Sequence, residues 1–135
     1  MAQLNFHNNF SPISPPPRGV LPVLQKLVKV YKLWQAYLPH FPKNSRYTLG
    51  EKIDLLFLEI IEYIVIAGYL SKQEKLPYIK KGVIKLDILK FFLQIAWEIK
   101  ALDNKKFIEL SEKLVEVGRM LGGWKKEIEN KTLAV

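Results

Sequence analysis

The side chains that could support catalysis or hold a metal are few and far apart in this sequence. The two histidines, His7 and His40, have no carboxylate or second histidine at the spacing of a zinc site. Glu59 and Glu62 share a segment, but a di-iron bundle needs a Glu-x-x-His pair, which the chain lacks. It also has no phosphate-binding glycine loop, no nucleophile elbow and no cysteine. The sequence therefore predicts a protein that is not an enzyme and that holds no metal or cofactor.

Lysine is the residue type whose spacing indicates a binding function. The formal net charge is +8, and no carboxylate precedes Glu51. Two groups of lysines are predicted to bind a nucleic-acid backbone: Lys26, Lys29 and Lys32 in one segment, and Lys80, Lys81 and Lys85 in another. Because lysine attracts phosphate without reading bases, such binding would be weakly sequence-specific and sensitive to salt. A solubilising basic face is the alternative interpretation, and the nucleic-acid hypothesis is stronger if the two groups adjoin.

Hydrophobic periodicity places both lysine groups on helices, and no strand-like alternation occurs in the chain. The four segments predicted to be helical are about Val20 to Leu38, Thr48 to Leu70, Pro77 to Ala101, and Asp103 to at least Leu121. Thr48 and Glu51 fit a capping box at the start of the second helix, and Asp103 is a good N-cap for the fourth. Gly122 and Gly123 either end or bend the fourth helix. The predicted fold is an all-α, antiparallel four-helix bundle.

The second and third helices each carry two apolar faces, although a four-helix monomer needs only one on each helix. In the second helix the predicted core stripe is Ile53, Leu56, Phe57, Ile60, Ile61 and Ile64, and the opposite side has Leu55, Leu58, Val65, Ile66 and Tyr69. In the third helix the predicted bundle seam is Ile84, Ile88, Phe91, Ile95 and Leu102, and the second face has Leu86, Leu89, Leu93 and Trp97. The surplus apolar faces predict a homo-oligomer.

The first and fourth helices each have one apolar stripe. Their predicted core residues are Val23, Leu24, Leu27, Val30, Tyr31, Trp34 and Leu38 in the first helix, and Phe107, Leu110, Leu114, Val117 and Leu121 in the fourth. The outer face of the fourth helix is predicted to carry two ion pairs: Glu109 with Lys113, and Glu116 with Arg119.

A protein dedicated to binding single-stranded nucleic acid is disfavoured, because the aromatic side chains that could stack on bases are predicted to point to the core: Tyr31, Trp34 and Trp97.

The chain is predicted to be one domain between two tails. Residues 1–19 include three consecutive prolines and form a flexible tail, residues 20–130 form the bundle, and residues 131–135 form a C-terminal tail. The N-terminus has no basic segment followed by a long apolar run, so we expect no signal peptide. The most apolar stretch, 53–70, contains three acidic residues and is expected to be a buried helix that does not enter a membrane. Because the chain has no cysteine, the expected location is the cytoplasm.

Two short phrases carry a family resemblance. They are FPKNSRYTLGEKI, from Phe41 to Ile53, and VGRMLGGWKK, from Val117 to Lys126. Their order along the helices resembles the accessory variability determinant (Avd) proteins of diversity-generating retroelements, over residues 20–127. The Phe-Pro-Lys corner is shared with a wider four-helix family that includes the proteins encoded in 23S rRNA intervening sequences. The Gly-Arg-Met-Leu-Gly-Gly-Trp phrase points more narrowly to Avd.

The residues of both phrases are interpreted as structural. The motif residues are Phe41, Pro42, Arg46, Thr48, Glu51, Gly118, Arg119, Gly122, Gly123 and Trp124. We expect Arg46 and Arg119 to tie helix junctions to carboxylates. We expect Gly122 and Gly123 to leave room for Trp124 to pack or for two helices to cross.

The resemblance also implies a function. Avd proteins are accessory proteins without a catalytic centre of their own, and a barrel-like homopentamer of four-helix protomers is expected. The implied partners are the retroelement's reverse transcriptase and its template-repeat RNA, which is copied with errors at adenines, with DNA as a further candidate. Two alternatives stay open: a protein-only oligomeric adaptor and an rRNA-associated four-helix-bundle protein. A steep salt dependence separates nucleic-acid binding from apolar docking, and a neighbouring reverse-transcriptase gene favours Avd over the rRNA-associated protein.

Overall fold

Helices make up nearly all of the described part of the chain, residues 21–133, in a computed structural model of the protein. The long helices are α1 (Leu21–Tyr37), α2 (Glu51–Tyr69), α3 (Lys72–Glu98) and α4 (Asn104–Leu133). Residues 21–133 contain no strand, so the predicted all-α helical bundle is confirmed. The predicted proline-rich tail, residues 1–19, lies outside the described residues.

Each long helix packs mainly against two others. α1 packs on α2 and α4, and α3 packs on the same two helices, so α1 and α3 lie diagonally across the bundle. Short connections make successive helices antiparallel. The ring centroid of Tyr63 on α2 lies 6.4 Å from that of Tyr78 near the start of α3, and that of Trp97 near the end of α3 lies 5.1 Å from that of Phe107 on α4. The solvent-facing sides of α1 and α3 therefore point in opposite directions.

The core largely confirms the apolar stripes predicted for α1, α2 and α4. The buried side chains of these helices include Val23, Leu27, Val30, Trp34, Ile53, Leu56, Phe57, Ile60, Ile64, Leu110, Leu114, Val117 and Leu121. Trp34 is central to an aromatic cluster, since its ring centroid lies 5.3 Å from that of Phe41 and 6.2 Å from that of Phe57. Complete burial of one large apolar side chain stabilises a fold by roughly 1.5–3 kcal/mol. This cluster is therefore a main reason why α1 packs on α2.

The seam predicted for α3 is wrong at Ile84 and Phe91, which face solvent in the protomer, whereas Leu102 is buried and Ile88 and Ile95 are half-buried. Ile84 is 59% exposed and Phe91 is 61% exposed. The face that the sequence assigned as the second one is the core, and its buried residues include Leu86, Leu89 and Leu93. Periodicity within one helix cannot choose between two apolar faces. Gly82 lies on the buried face, but an added Cβ there would be at an ordinary contact distance of 4.0 Å from Ile64, so its small size does not decide which face packs on α2.

The predicted capping box at the start of α2 is also wrong. The helical path starts earlier, with a short α-helical turn at Lys43–Ser45 and a π-helical segment at Arg46–Gly50 that leads directly into Glu51. Pro42 precedes this path in an extended conformation. Thr48 therefore lies inside the helical path, where its hydroxyl donates to the Ser45 carbonyl at 3.4 Å. The spacing of Thr48 and Glu51 predicted a cap, but the helical path begins five residues earlier, at Lys43, directly after Pro42.

α3 begins at Lys72, five residues before the predicted start at Pro77, so the break between α2 and α3 consists only of Leu70 and Ser71, and Pro77 lies inside the helix. Ser71 precedes the first turn. Its carbonyl accepts the N–H of Glu74 at 3.1 Å, and its hydroxyl donates to the Glu74 carboxylate at 3.0 Å. Pro77 is the sixth residue of α3, so it lacks the N–H that would bond the carbonyl of Gln73. Ser71 and Glu74 mark the start of α3 in the sequence, although the Ser71 side chain does not cap the backbone of the helix.

α4 begins as predicted and continues further than predicted. The Asp103 carboxylate accepts the backbone N–H of Lys106 at 2.9 Å, which confirms the predicted N-cap. The helix is continuous through the double glycine at 122–123 and reaches Leu133, beyond the predicted end of the bundle at residue 130. A small second apolar cluster holds its C-terminal part: Ala67, Ile79 and Ile128.

The predicted steric role of Gly122 and Gly123 is not found within the described protomer. Both are exposed, and an added Cβ at either would meet no atom within 4 Å. Glycine inside a helix is less favourable than alanine by roughly 0.5–1 kcal/mol. We therefore expect Gly122→Ala together with Gly123→Ala to raise the free energy of unfolding, measured in urea, by about 1–2 kcal/mol.

Gly50 supplies the control for this experiment. An added Cβ there would lie 3.0 Å from Cδ1 of Leu38, so Gly50→Ala is expected to raise the free energy of unfolding by less than an alanine at position 122 or 123 does. A lower free energy of unfolding for the variant at 122 and 123 would contradict the expectation. It would also indicate that another chain packs against the two glycines.

Candidate nucleic-acid interface

The lysines of α1 form a basic surface without acidic partners. Lys29 and Lys32 are exposed and Lys26 is half-buried. All of them line an open groove, together with Lys113 of α4. α1 itself contains no acidic residue. Among the described residues, no carboxylate lies within ion-pair distance of these four lysines. The groove therefore presents positive charge that is not neutralised by residues 21–133.

The lysines of α3 differ, because each already has a partner. Lys80 lies 4.0 Å from a Glu129 carboxylate oxygen, and Lys85 lies 3.4 Å from a Glu59 carboxylate oxygen. The ammonium of Lys81 lies 5.1 Å from the ring centroid of Tyr78 and 5.9 Å from that of Tyr63. Because α1 and α3 are diagonal, the protomer does not bring the two predicted lysine groups together. The α1 group is the stronger candidate.

Lys113 joins the α1 lysines because its predicted partner is bound elsewhere. The predicted Glu109–Lys113 ion pair is not found, and the Tyr37 hydroxyl donates to the Glu109 carboxylate instead. This hydrogen bond raises the pKa of Tyr37 to about 12, with burial adding to the effect. The predicted pair of Glu116 and Arg119 is confirmed. Helical spacing gives no signal for a contact between residues 37 and 109, which come from different helices.

A polar network fixes α1 against α2 beneath this surface. The Trp34 indole N–H donates to the Asp54 carboxylate at 3.1 Å, and the Gln35 amide donates to the same oxygen at 2.6 Å. The Gln35 amide also donates to the Tyr31 hydroxyl at 3.0 Å. Burial raises the pKa of Tyr31, and the negative charge of Asp54 raises it further. The basic helix is thus held in place by buried rings on one side and by hydrogen bonds to Asp54.

The two motif arginines do not reach the predicted carboxylates at helix junctions. Arg46 donates to the backbone carbonyls of Pro39 and Phe41, at 2.9 Å each. It does close the corner between α1 and α2, but it does so through carbonyls, because this corner has no acidic residue before Glu51. Arg119 pairs with Glu116 on its own helix and ties no junction.

The other residues of the second phrase contribute to packing. At Gly118 an added Cβ would lie 3.3 Å from the Lys90 ammonium nitrogen and 3.4 Å from Cδ2 of Leu86, so α3 approaches α4 closely there. Trp124 is half-buried between the two apolar clusters. The ammonium of Lys75 lies 5.4 Å from its ring centroid. Gly118 and Trp124 therefore have structural contacts, as predicted.

An apolar surface lies on the outer face of α3, which points away from α1, and its most exposed side chains are Ile84 and Phe91. Other exposed large apolar side chains lie on the outer faces of α2 and α4: Leu55, Leu58, Ile108 and Val115. The prediction that Trp97 points to the core is wrong, since the residue is 39% exposed. Its ring stacks on Phe107, and its indole N–H donates to the Asn104 side chain at 2.6 Å. A single chain therefore has a basic helix on one side and unpaired apolar side chains on the other.

The described residues do not offer a metal site or a membrane-spanning helix. The described residues contain no group of three or more His, Cys, Asp or Glu side chains placed to hold a metal ion. Within residues 21–133, none of the helices combines the length and apolar character that a membrane crossing requires.

The fold and the lysine-lined groove of α1 define a basic four-helix-bundle protein. A family model described as bAvd-like matches residues 21–128. The chain therefore belongs to the bAvd-like family, which confirms the resemblance seen in its two short phrases. A search of curated proteins gave no match.

Proposed function

We propose that this protein is the non-catalytic accessory protein of a diversity-generating retroelement. In this proposal it binds the element's reverse transcriptase and the template-repeat RNA, with DNA as a further candidate, and supports mutagenic copying. The family match over residues 21–128 supports the accessory role. The groove of α1 supports the contact with nucleic acid, because its lysines have no acidic partner among the described residues.

The unpaired lysines of α1 are the observation that carries the nucleic-acid role. Phosphate groups that bind there displace their counterions without first breaking an ion pair in the protein. The packing of Trp34 and the Asp54 network keep the lysines in place. Lys80 and Lys85 would have to leave their carboxylate partners before binding phosphate. We therefore assign the main contact to α1 and a secondary one to the lysines of α3.

The apolar surface supports self-assembly. Ile84 and Phe91 would be shielded from water if α3 packed against another copy of the chain. Because α1 is diagonal to α3, such an assembly would leave the α1 lysines free to bind RNA on its outer side. The proposed assembly is a ring- or barrel-like homo-oligomer, with five copies expected from the family resemblance.

A protein-only oligomeric adaptor is the second candidate function. It is favoured because Lys80, Lys81 and Lys85 already contact other side chains, so that of the two predicted lysine groups only the one on α1 is free. In that case the apolar surface would dock a partner protein and the α1 lysines would only be solvated.

Purification with the reverse transcriptase that the proposed retroelement would encode tests the accessory role. We expect the protein to co-elute with the transcriptase and with template-repeat RNA, and we expect cDNA with errors at adenines only when it is present. Nuclease treatment before the column is the control. Co-elution that survives nuclease, without RNA retention at low salt, would favour the adaptor. No co-elution and no change in the cDNA would contradict the accessory role.

A further inference from the structure

We propose that Lys113 of α4 is a fourth lysine of the phosphate-binding surface on α1, and that Tyr37 keeps it available by holding Glu109 in a hydrogen bond. This inference rests on the proposed nucleic-acid role. It assigns a binding residue on a different helix and a positioning residue that does not itself touch the RNA.

Lys113 has the geometry of a member of this surface. It lines the same groove as Lys26, Lys29 and Lys32, although it is far from them in sequence. It lies on the side of α4 that packs on α1, because Glu109, one turn earlier on α4, is bound by Tyr37 of α1. A phosphate in the groove would thus meet lysines from two helices.

Three carboxylates on α4 lie near Lys113 in sequence, and none of them forms an ion pair with it among the described residues. Glu109, four residues earlier, has the most favourable helical spacing for such a pair, but it accepts the Tyr37 hydroxyl. Glu116, three residues later, pairs with Arg119. Glu112 is the adjacent residue, and neighbours in sequence do not face each other on a helix. Lys113 therefore keeps its charge for a ligand.

Tyr37 is itself fixed from more than one direction. Its hydroxyl is bound to Glu109, and the Lys106 ammonium lies 5.5 Å from its ring centroid. Lys106 is in turn 3.8 Å from an Asp103 carboxylate oxygen at the start of α4. Removing only the hydroxyl leaves the ring packing in place and frees the Glu109 carboxylate. The freed carboxylate can then take the favoured position beside Lys113 and compete with phosphate.

The test is a set of titrations of a labelled structured RNA at several salt concentrations. Lys113→Gln is expected to make the negative slope of log K against log salt shallower by about 0.7 to 0.9, the value for one lost phosphate contact. Tyr37→Phe is also expected to weaken binding and to make this slope shallower. Lys126→Gln is the matched control, because Lys126 is exposed on α4 outside the groove, and it should leave the slope unchanged.

A double-mutant cycle separates positioning from a merely structural role. If Tyr37 acts through Glu109, Tyr37→Phe should weaken binding in the wild-type background and have no effect in the Glu109→Gln background. An equal loss in both backgrounds would overturn the role of Tyr37, and a wild-type slope for Lys113→Gln would overturn that of Lys113. Circular dichroism checks that each variant is folded.

Failure of the proposed function would be visible separately. A variant that carries Lys26→Glu, Lys29→Glu and Lys32→Glu should lose binding. If that variant binds normally, the α1 site itself is wrong. If it loses binding while Lys113→Gln and Tyr37→Phe do not differ from wild type, only the present inference fails. The same titrations with duplex DNA show whether the surface distinguishes RNA from DNA or recognises the phosphodiester backbone of both.

Discussion

Reversal of the charges on α1, by Lys26→Glu, Lys29→Glu and Lys32→Glu, is expected to abolish RNA binding and to leave the helix content and the oligomeric mass unchanged. The effect on binding is large because three attractive contacts become repulsive. The loss of three phosphate contacts alone makes the negative slope of log K against log salt shallower by roughly 2 to 3. The fold should tolerate the change, since these lysines form no ion pair within residues 21–133.

The matched control reverses three other lysines that are exposed and lie outside the groove: Lys52, Lys105 and Lys126. This control changes the net charge by the same amount. If binding depends on the α1 surface, the control should keep a substantial part of the affinity and most of the salt slope. Equal losses in both triple variants would mean that RNA senses only the total charge, which would contradict a defined site on α1.

Placing two aspartates on the outer face of α3, by Ile84→Asp and Phe91→Asp, is expected to dissociate the proposed oligomer into folded monomers. Both side chains are exposed in the protomer, so the new charges can stay hydrated in a monomer. In a packed interface the same charges would be buried without partners, and each would oppose association by several kcal/mol. Analytical ultracentrifugation gives the mass, and circular dichroism gives the helix content.

Leu89→Asp is the contrasting control, because Leu89 lies on the buried face of the same helix. This substitution is expected to unfold the protomer and not merely to dissociate it. If the variant at positions 84 and 91 keeps the oligomeric mass of the wild type, assembly does not use the outer face of α3. If it loses its helix content as Leu89→Asp does, the assignment of the two faces of α3 is wrong.

The assignment of α3 illustrates what periodicity can and cannot predict. α2 also has two apolar faces, yet its core stripe at Ile53, Phe57 and Ile60 was predicted correctly. On α3 both faces have apolar residues at helical spacing, and the sequence favoured the longer one at Ile84 and Phe91. The structure instead places Leu86, Leu89 and Leu93 inward, in the core cluster shared with the other helices. The difference lies in packing between helices, which no single helix reveals.

In the candidate site, too, the features of a single helix were predicted and the contacts between helices were not. The basic face of α1 was predicted from its own spacing, since it depends on one helix and on the absence of nearby acids. The neutralisation of Lys85 by Glu59 and the capture of Glu109 by Tyr37 join different helices. Such contacts depend on which helices are neighbours. The sequence therefore identified the candidate lysines but could not decide which of them stay unpaired.

The most direct test of the central claim is one titration of nuclease-treated protein with structured RNA at several salt concentrations, with the oligomeric mass recorded on the same sample. We expect an oligomer that binds RNA tightly at low salt, with log K falling steeply and linearly as log salt rises. No binding at low salt, or binding with a shallow slope that Lys26→Glu, Lys29→Glu and Lys32→Glu leave unchanged, would contradict the claim that α1 binds a nucleic-acid backbone.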